Sequence, residues 1–428
     1  MLKIKGLKYS NSGKKITYNY NYSKAISKYF NSKEPFFVSY DVDVREVPES
    51  IAIIPFLANL APISWFAGFN IHIEKLDKVF YESICDIKRE YEKYYPEIKK
   101  IDSEIVVGKI EHNKMLGNRS AMLFSGGVDA YSSLFRHYDS YPDLITVHGP
   151  DIDLADSTQW NRVVESNKKQ QFLKNYDNLY IKSNLRLFYT YKVNYLLKNA
   201  EWWSKIQYGL GLTSLLAPLS FLKNYNKIYI ASTRSKFMKF LPWGSMPETD
   251  NKIAWSGLSV IHDGFDLSRQ DKLEIIIKMY NKFNLYGDAI RVCYSELNKS
   301  INCSKCEKCV RTSFGIMLLG GNPCDFGFDV DESIYNEIKK ITSKEFGTSG
   351  VLNYWTELLN LSKQKEDIFI FKNKNLEKNQ LADILKSFEL NSIKGVRKQN
   401  IYHKLKFKIQ NEFPKLFKLY LKIRQRNL

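Results

Sequence analysis

Ser120-Ala121-Met122-Leu123-Phe124-Ser125-Gly126-Gly127-Val128-Asp129 joins a short apolar run to a serine–glycine–glycine turn, and Ala130 to Phe135 beyond it suits a helix. Two adjacent glycines let a backbone approach a ligand with no Cβ in the way, and amides at the start of a helix donate to oxyanions. Ser125 adds a hydroxyl donor, and Asp129 stands at the head of the helix, positioned to hold Mg²⁺ or organise pyrophosphate. Ser125, Gly126, Gly127 and Asp129 are therefore read as a polyphosphate turn, and ATP as its expected ligand. No Gly-rich run ends in Gly-Lys-Ser/Thr and no G-x-G-x-x-G is present, which excludes the P-loop and the dinucleotide fingerprint. A tight strand-to-helix connection without a ligand is the competing reading.

Around this turn, from about 116 to 334, short apolar runs alternate with longer helical stretches, the pattern of a parallel sheet covered by helices. Leu144-Ile145-Thr146-Val147 and Lys227-Ile228-Tyr229-Ile230 read as further strands, and Trp203 to Leu219 as a helix. Residues 1–115 read as an accessory α/β domain: Ile16 to Tyr20 and Phe36 to Tyr40 suit strands, and Leu76 to Tyr95 carries apolar residues at helical intervals. Pro55 and Pro62 are expected to break any long helix between them. Residues 335–428 read as mostly helical, and a chain of 428 residues exceeds what one core usually organises.

Four of the six cysteines crowd between Cys293 and Cys309, a clustering that points to a metal in a reducing compartment. Cys293, Cys303, Cys306 and Cys309 supply four soft thiolates, the set a tetrahedral Zn²⁺ takes when it staples a loop and leaves no position open for water. An iron–sulfur cluster competes, because spacing alone does not separate the two. Arg291, Lys305, Lys308 and Arg311 flank the cluster and would moderate its negative charge, and Arg311 has the alternative of facing substrate. Cys85 and Cys324 have no matching partners.

Other polar residues fall where parallel sheets place their ligands. His148 follows the strand Leu144-Ile145-Thr146-Val147, and Ser232 follows the strand ending at Ile230; each is a candidate nucleotide contact, with loop capping as the plain alternative. His262, beside Asp263, is a candidate to orient or protonate substrate, and Arg269 and Lys272 are candidates to stabilise phosphate charge. A histidine placed in a turn for structural reasons is at least as good a reading of His262.

The formal charge of +18 attracts nucleic acid, anionic lipid or phosphorylated ligands without choosing among them. From Lys394 to Leu428 there are eleven Lys or Arg and one acid, Glu412, interleaved with Leu405, Phe407, Ile409 and Phe413, an imperfect amphipathic helix interrupted at Pro414. A packing helix, an RNA contact and an anionic-membrane contact all fit that stretch. No apolar run reaches 18 residues and no signal core follows Met1, so the expected location is the cytoplasm.

Ser125-Gly126-Gly127-Val128-Asp129 together with Cys293-x9-Cys303-x2-Cys306-x2-Cys309 and Arg311 resembles the PP-loop ATP pyrophosphatases, in particular the 7-cyano-7-deazaguanine synthase branch, over about 116 to 320. The resemblance implies an adenine-nucleotide α-hydrolase-like parallel-sheet domain with a four-cysteine zinc site. It implies cleavage of ATP between the α and β phosphates, adenylation of a carboxylate or amide, and amide or nitrile formation on a 7-carboxy-7-deazaguanine-like base. Ser125, Gly126, Gly127 and Asp129 would then hold the departing pyrophosphate with Mg²⁺. The family's hydroxyl residue after the aspartate is Ala130 here, which leaves Ser132 or Ser133 to substitute. The added length resembles larger synthase-like proteins, some of them in bacterial antiviral systems, where the acceptor is expected to be a protein terminus and partner proteins are expected. An RNA-modifying PP-loop enzyme and a non-catalytic nucleotide-binding subunit of a defence complex are the alternatives, and a homodimer is compatible with any of the three.

Overall fold

The computed structural model describes residues 1–115, 117–197, 201–293, 300–344, 346, 349–392, 401–413, 416–417 and 419. Its architecture is mixed α/β, built on eleven strands: β1 (Leu2–Ser10), β2 (Lys15–Tyr22), β3 (Phe37–Ser39), β4 (Ile71–Asp77), β5 (Ile105–Glu111), β6 (Arg119–Leu123), β7 (Asp143–His148), β8 (Asn178–Ser183), β9 (Tyr225–Ala231), β10 (Ala254–Trp255) and β11 (Leu258–Asp263). They form one sheet in the order β10-β11-β9-β6-β7-β8-β3-β2-β1-β4-β5.

The half containing the glycine turn is parallel from β11 through β9, β6 and β7 to β8. From β6 the chain adds β7 and β8 on one side and then β9 and β11 on the other, so the strand order reverses at β6. Reversal separates the flanking connections and opens a crevice at the carboxyl ends of the strands, where open α/β sheets bind ligands. The apolar runs of β6 and β7 are buried, as a sheet covered on both faces requires.

Residues 1–115 supply the other five strands, a β1–β2 hairpin flanked by β3 on one side and by parallel β4 and β5 on the other. The halves meet where β3 runs antiparallel to β8, pairing Val38 with Ser183 and Ser39 with Lys182. One apolar core runs across that seam, taking Ile16, Phe36 and Phe56 from one side and Ile181, Phe188 and Leu215 from the other.

Pro55 and Pro62 do not prevent a long helix: Ile54–Ala67 is helical over 14 residues. Pro55 falls in the first turn, where an N–H would have no partner, and Pro62 sits inside a helix buried on all sides, whose packing outweighs the lost hydrogen bond. Trp203 to Leu219 is helical but segmented, with a π-turn at Trp203–Gln207 followed by helices Tyr208–Ser214 and Ala217–Lys223.

The region from 335 is mostly helical where described, with a non-helical stretch over 365–373. A separate core joins Ile334, Trp355, Leu358 and Ile384 to Val310 and Phe314 of the Glu307–Leu318 helix. That helix also places Cys309 and Ile316 in the core behind the glycine turn, so it is a wall shared by two cores. Of the basic end, the helix Ile401–Glu412 docks on the Tyr191–Leu196 turn, with Tyr195 donating to Glu412 at 3.1 Å and its ring 6.0 Å from Phe407. Phe413, Leu416 and Leu419 are exposed. The side chain of Leu405, the interruption at Pro414, and the basic residues at 393–400 and 420–428 lie outside the described residues. No helix among the described residues is long and apolar enough to cross a membrane.

Candidate functional site

β6 ends at Leu123, and the chain passes through Ser125, Gly126 and Gly127 into the helix Val128–Arg136. Gly126 has a φ of +74°, a left-handed conformation that a side chain would strain. Gly127 is the N-cap, and its amide donates to Ser125 Oγ at 3.3 Å. The first amides of a helix have no partner within it, so this end presents donors to the crevice.

A cleft with about 100 Å³ of interior space opens there, walled by residues from the ends of β6, β7 and β9. Ser125, Asp129, Asp151, Thr233 and Arg291 give it a polar side, and Ile145, Val147, Trp160, Leu212 and Ile230 an apolar one. The two sides have the character needed for a charged chain and a flat ring respectively.

Asp129 is the electrostatic centre. Its Oδ1 accepts from Lys272 Nζ at 2.9 Å and its Oδ2 from Arg269 Nη1 at 3.0 Å, both delivered by the Arg269–Phe283 helix. Burial opposes ionisation of Asp129, but the charges of Lys272 and Arg269 outweigh it and bring its pKa down to about 2. Lys272, only 4% exposed, also donates to the carbonyl of Ser232 just past β9, so one amine ties the head of the Val128–Arg136 helix to the end of that strand. A capping box, Ser268 with Asp271, fixes the start of this helix and therefore the reach of both cations.

Arg291 holds the turn from the other side. Its amide donates to the carbonyl of Gly126 at 2.7 Å and its Nε to the carbonyl of Ser125 at 2.9 Å. Cys293 follows two residues later, so the turn and the cysteine loop are joined through one short segment. The Sγ atoms of Cys293, Cys303, Cys306 and Cys309 lie within 4.8 Å of one another. Sγ of Cys306 is 4.0 Å from that of Cys293 and 3.5 Å from that of Cys309, and Cys303 is 3.9 Å from Cys309. Four thiolates at about 2.3 Å around a tetrahedral ion would be roughly 3.8 Å apart, so the spacing fits a metal. None of the six cysteines forms a disulfide. The amides of Cys303 and Cys306 donate to Sγ of Cys293 and Cys303 at 3.3 and 3.2 Å, a bond that favours thiolate over thiol. The cluster can coordinate a metal ion.

Lys308 and Arg311 follow on the helix that leaves the cluster. Burial, and then the charges of Arg269 and Arg311, bring the pKa of Lys308 down to about 8. Arg311 donates through Nε to Glu307 at 2.7 Å and lies 4.3 Å from the ring centre of Tyr354, whose hydroxyl reaches the carbonyl of Thr233 at 3.1 Å. Tyr354 belongs to the C-terminal helices, and nothing in its sequence surroundings marks it for this place.

The remaining candidates are distributed differently. His148 is buried behind the cleft wall, stacked on Trp160 at 4.4 Å with its Nε2 3.1 Å from the carbonyl of Asp153. Burial lowers its pKa, so it is a neutral brace for Trp160. Ser232 spends its hydroxyl on the carbonyl of Arg234 at 2.7 Å; the neighbouring Thr233 is among the residues that line the cleft, with its Oγ1 buried and without a partner. His262 is not brought to the cleft: its side chain is 1% exposed, with Nδ1 2.8 Å from Asp250 and Nε2 buried and unpartnered. Ser132 is 1% exposed with an unpartnered Oγ, and Ser133 donates to Asp263 at 2.6 Å, so neither hydroxyl stands in at the cleft for the one missing at Ala130. Ala130 itself lines the cleft. Were pyrophosphate to lie on the turn, Ala130→Ser would be expected to tighten it by roughly tenfold, the effect of one added hydrogen bond to a charged group, as read by calorimetric titration.

No family model, curated protein or solved structure matches the chain.

Proposed function

We propose that the protein is an ATP-dependent adenylating enzyme that releases pyrophosphate and activates a carboxylate or amide for carbon–nitrogen bond formation. The observation that carries this reading is the glycine turn at the carboxyl edge of a parallel sheet, at the reversal of strand order, with Lys272, Arg269 and Arg291 converging on it. Phosphates laid on the turn would meet the helix amides and Ser125. The apolar wall beside Trp160 would take the purine ring.

Both Asp129 oxygens are engaged by cations, so Asp129 acts first as the group that aims Lys272 and Arg269. Asp129 and Asp151 are the carboxylates lining the cleft that would hold Mg²⁺, which when bound neutralises charge on the departing pyrophosphate. The cysteines would hold Zn²⁺ as a closed structural site, keeping Arg291 and the turn in register. The acceptor we propose is a deazaguanine-like carboxylate or a protein terminus. A non-catalytic nucleotide-binding subunit is the second reading, favoured by the bare methyl of Ala130 in the cleft wall.

Product analysis with ATP, Mg²⁺, ammonium and 7-carboxy-7-deazaguanine, and in parallel with tRNA and partner proteins, separates these. AMP and pyrophosphate that depend on acceptor support adenylation; ATP binding without turnover supports the second reading; ADP overturns the chemistry. Lys272→Met is expected to cut AMP release by roughly 100-fold or more, the loss typical when one preorganised charge is removed.

A further inference from the structure

Tyr208 also lines the cleft, and a local irregularity of the backbone puts it there. It closes the π-turn Trp203–Gln207 and begins the helix Tyr208–Ser214. A π-turn is rare in helices and is found frequently at functional sites. Here the loop 243–246, which leads into the short helix Pro247–Asp250, clamps it. The amide of Gly244 donates to the carbonyl of Ser204 at 2.9 Å, and its carbonyl accepts from the amide of Gly209 at 2.6 Å. A Cβ on Gly244 would stand 3.0 Å from the backbone nitrogen of Ile206 and 3.1 Å from that of Tyr208, so glycine is what lets the loop lie this close. Behind the turn, a Cβ on Gly209 would fall 2.1 Å from Oδ1 of Asp250, whose Oδ2 meets Ser245 Oγ at 2.5 Å and His262 Nδ1 at 2.8 Å. The sealed His262–Asp250 pair is thus a brace behind the point where Tyr208 enters the cleft.

What the turn presents is a hydroxyl without a partner. Tyr208 is half-buried, its ring set edge-on to Trp203 at 5.2 Å. Its hydroxyl, unlike those of Ser132 and Thr233, is not sealed from solvent, and it bonds to none of the described residues. A packing role needs only the ring, which phenylalanine would supply. Burial, and then the charges of Asp151 and Asp129, push the phenol above its ordinary value, so it stays protonated and able to donate. Both of those acids line the cleft. A neutral donor beside two carboxylates is poorly placed for phosphate, whose donors are the amides of the glycine turn and Ser125; it suits an uncharged oxygen.

We infer that the Tyr208 hydroxyl donates a hydrogen bond to an uncharged oxygen of the cleft's ligand, a ribose hydroxyl of the nucleotide or a ring carbonyl of the acceptor, and so selects ligands that carry it. The inference rests on the reading of the cleft as the nucleotide and acceptor site.

The test is calorimetric titration of the metal-loaded full chain, wild type and Tyr208→Phe, with Mg²⁺-ATP, with its 2′-deoxy and 3′-deoxy forms, and with 7-carboxy-7-deazaguanine. If the oxygen belongs to the ribose, the wild type prefers ATP to one deoxy form by roughly tenfold, and Tyr208→Phe erases that preference by weakening ATP alone. If it belongs to the acceptor, Tyr208→Phe leaves the three nucleotides unchanged and weakens the base by roughly tenfold. Unchanged affinity of the variant for every ligand that the wild type binds overturns the role of Tyr208 and leaves the cleft standing as the binding site. A wild type that binds neither nucleotide nor base overturns the reading of the cleft, and the role of Tyr208 falls with it.

Discussion

Asp129→Asn is expected to abolish pyrophosphate release and to destabilise the protein before any substrate is added. Asparagine has nearly the same shape, but its neutral amide leaves Lys272 and Arg269 facing each other across the place of a lost charge, at 5% and 14% side-chain exposure. The carboxyl falls from 3.8 to about 2, a difference worth about 2 kcal/mol at 1.36 kcal/mol per unit. The direction fixes the pH dependence. A lowered pKa contributes stability that is fully present above the unfolded value near 4 and is lost as pH falls towards 2. The gap in urea unfolding free energy between the wild type and Asp129→Asn should therefore be widest at neutral pH and close between pH 4 and 2. A gap that stays constant across that window would mean that the pair does not operate. Pyrophosphate brings the missing negative charge, so it should stabilise the asparagine variant more than the wild type if it binds at the turn.

Stripping the metal is expected to have the second large effect, reaching beyond the cysteines. Structural zinc sites in small domains carry about 10–16 kcal/mol, and here the following helix is separately held by two cores, so a fraction of that is at stake. Cys303→Ser, or a strong chelator, should reduce bound metal from about one equivalent to a small fraction of that, as measured by elemental analysis. The loop would then release Arg291, whose two bonds to the carbonyls of Ser125 and Gly126 shape the turn. Nucleotide affinity should fall together with metal content. Unchanged nucleotide binding by the metal-free protein would show that the turn holds its form without the loop.

What could be read in the sequence was local. A Ser-Gly-Gly turn after an apolar run and four cysteines within a short span are patterns whose parts lie side by side, and the structure places both as compact units. Arg269 and Lys272 were legible as cations near a strand end, but their bond to Asp129 spans 140 and 143 residues and depends on how the sheet is wound. His262 shows the limit from the other direction. A histidine beside an aspartate suggests exposed acid–base chemistry, yet its nearest carboxylate is Asp250, and the pair is sealed inside. Tyr354 was invisible because its contact with Arg311 arises only when the last helices fold back on the site. Pro62 misled for a related reason: chain propensity is overruled when every face of a helix is packed.

The short β3–β8 seam has a consequence for how the protein is made. A ribosome releases the first 115 residues well before residues 178–183 exist, and until then the edge of β3 has no neighbour. The core beneath it also waits for Ile181, Phe188 and Leu215. The nascent amino-terminal half therefore leaves the exit tunnel with an open strand edge and an unfinished apolar face, the condition in which chaperones bind and neighbouring chains stick. Its burial waits for the half that carries the glycine turn, so slowing translation between about residue 115 and residue 220 is expected to lower the soluble yield.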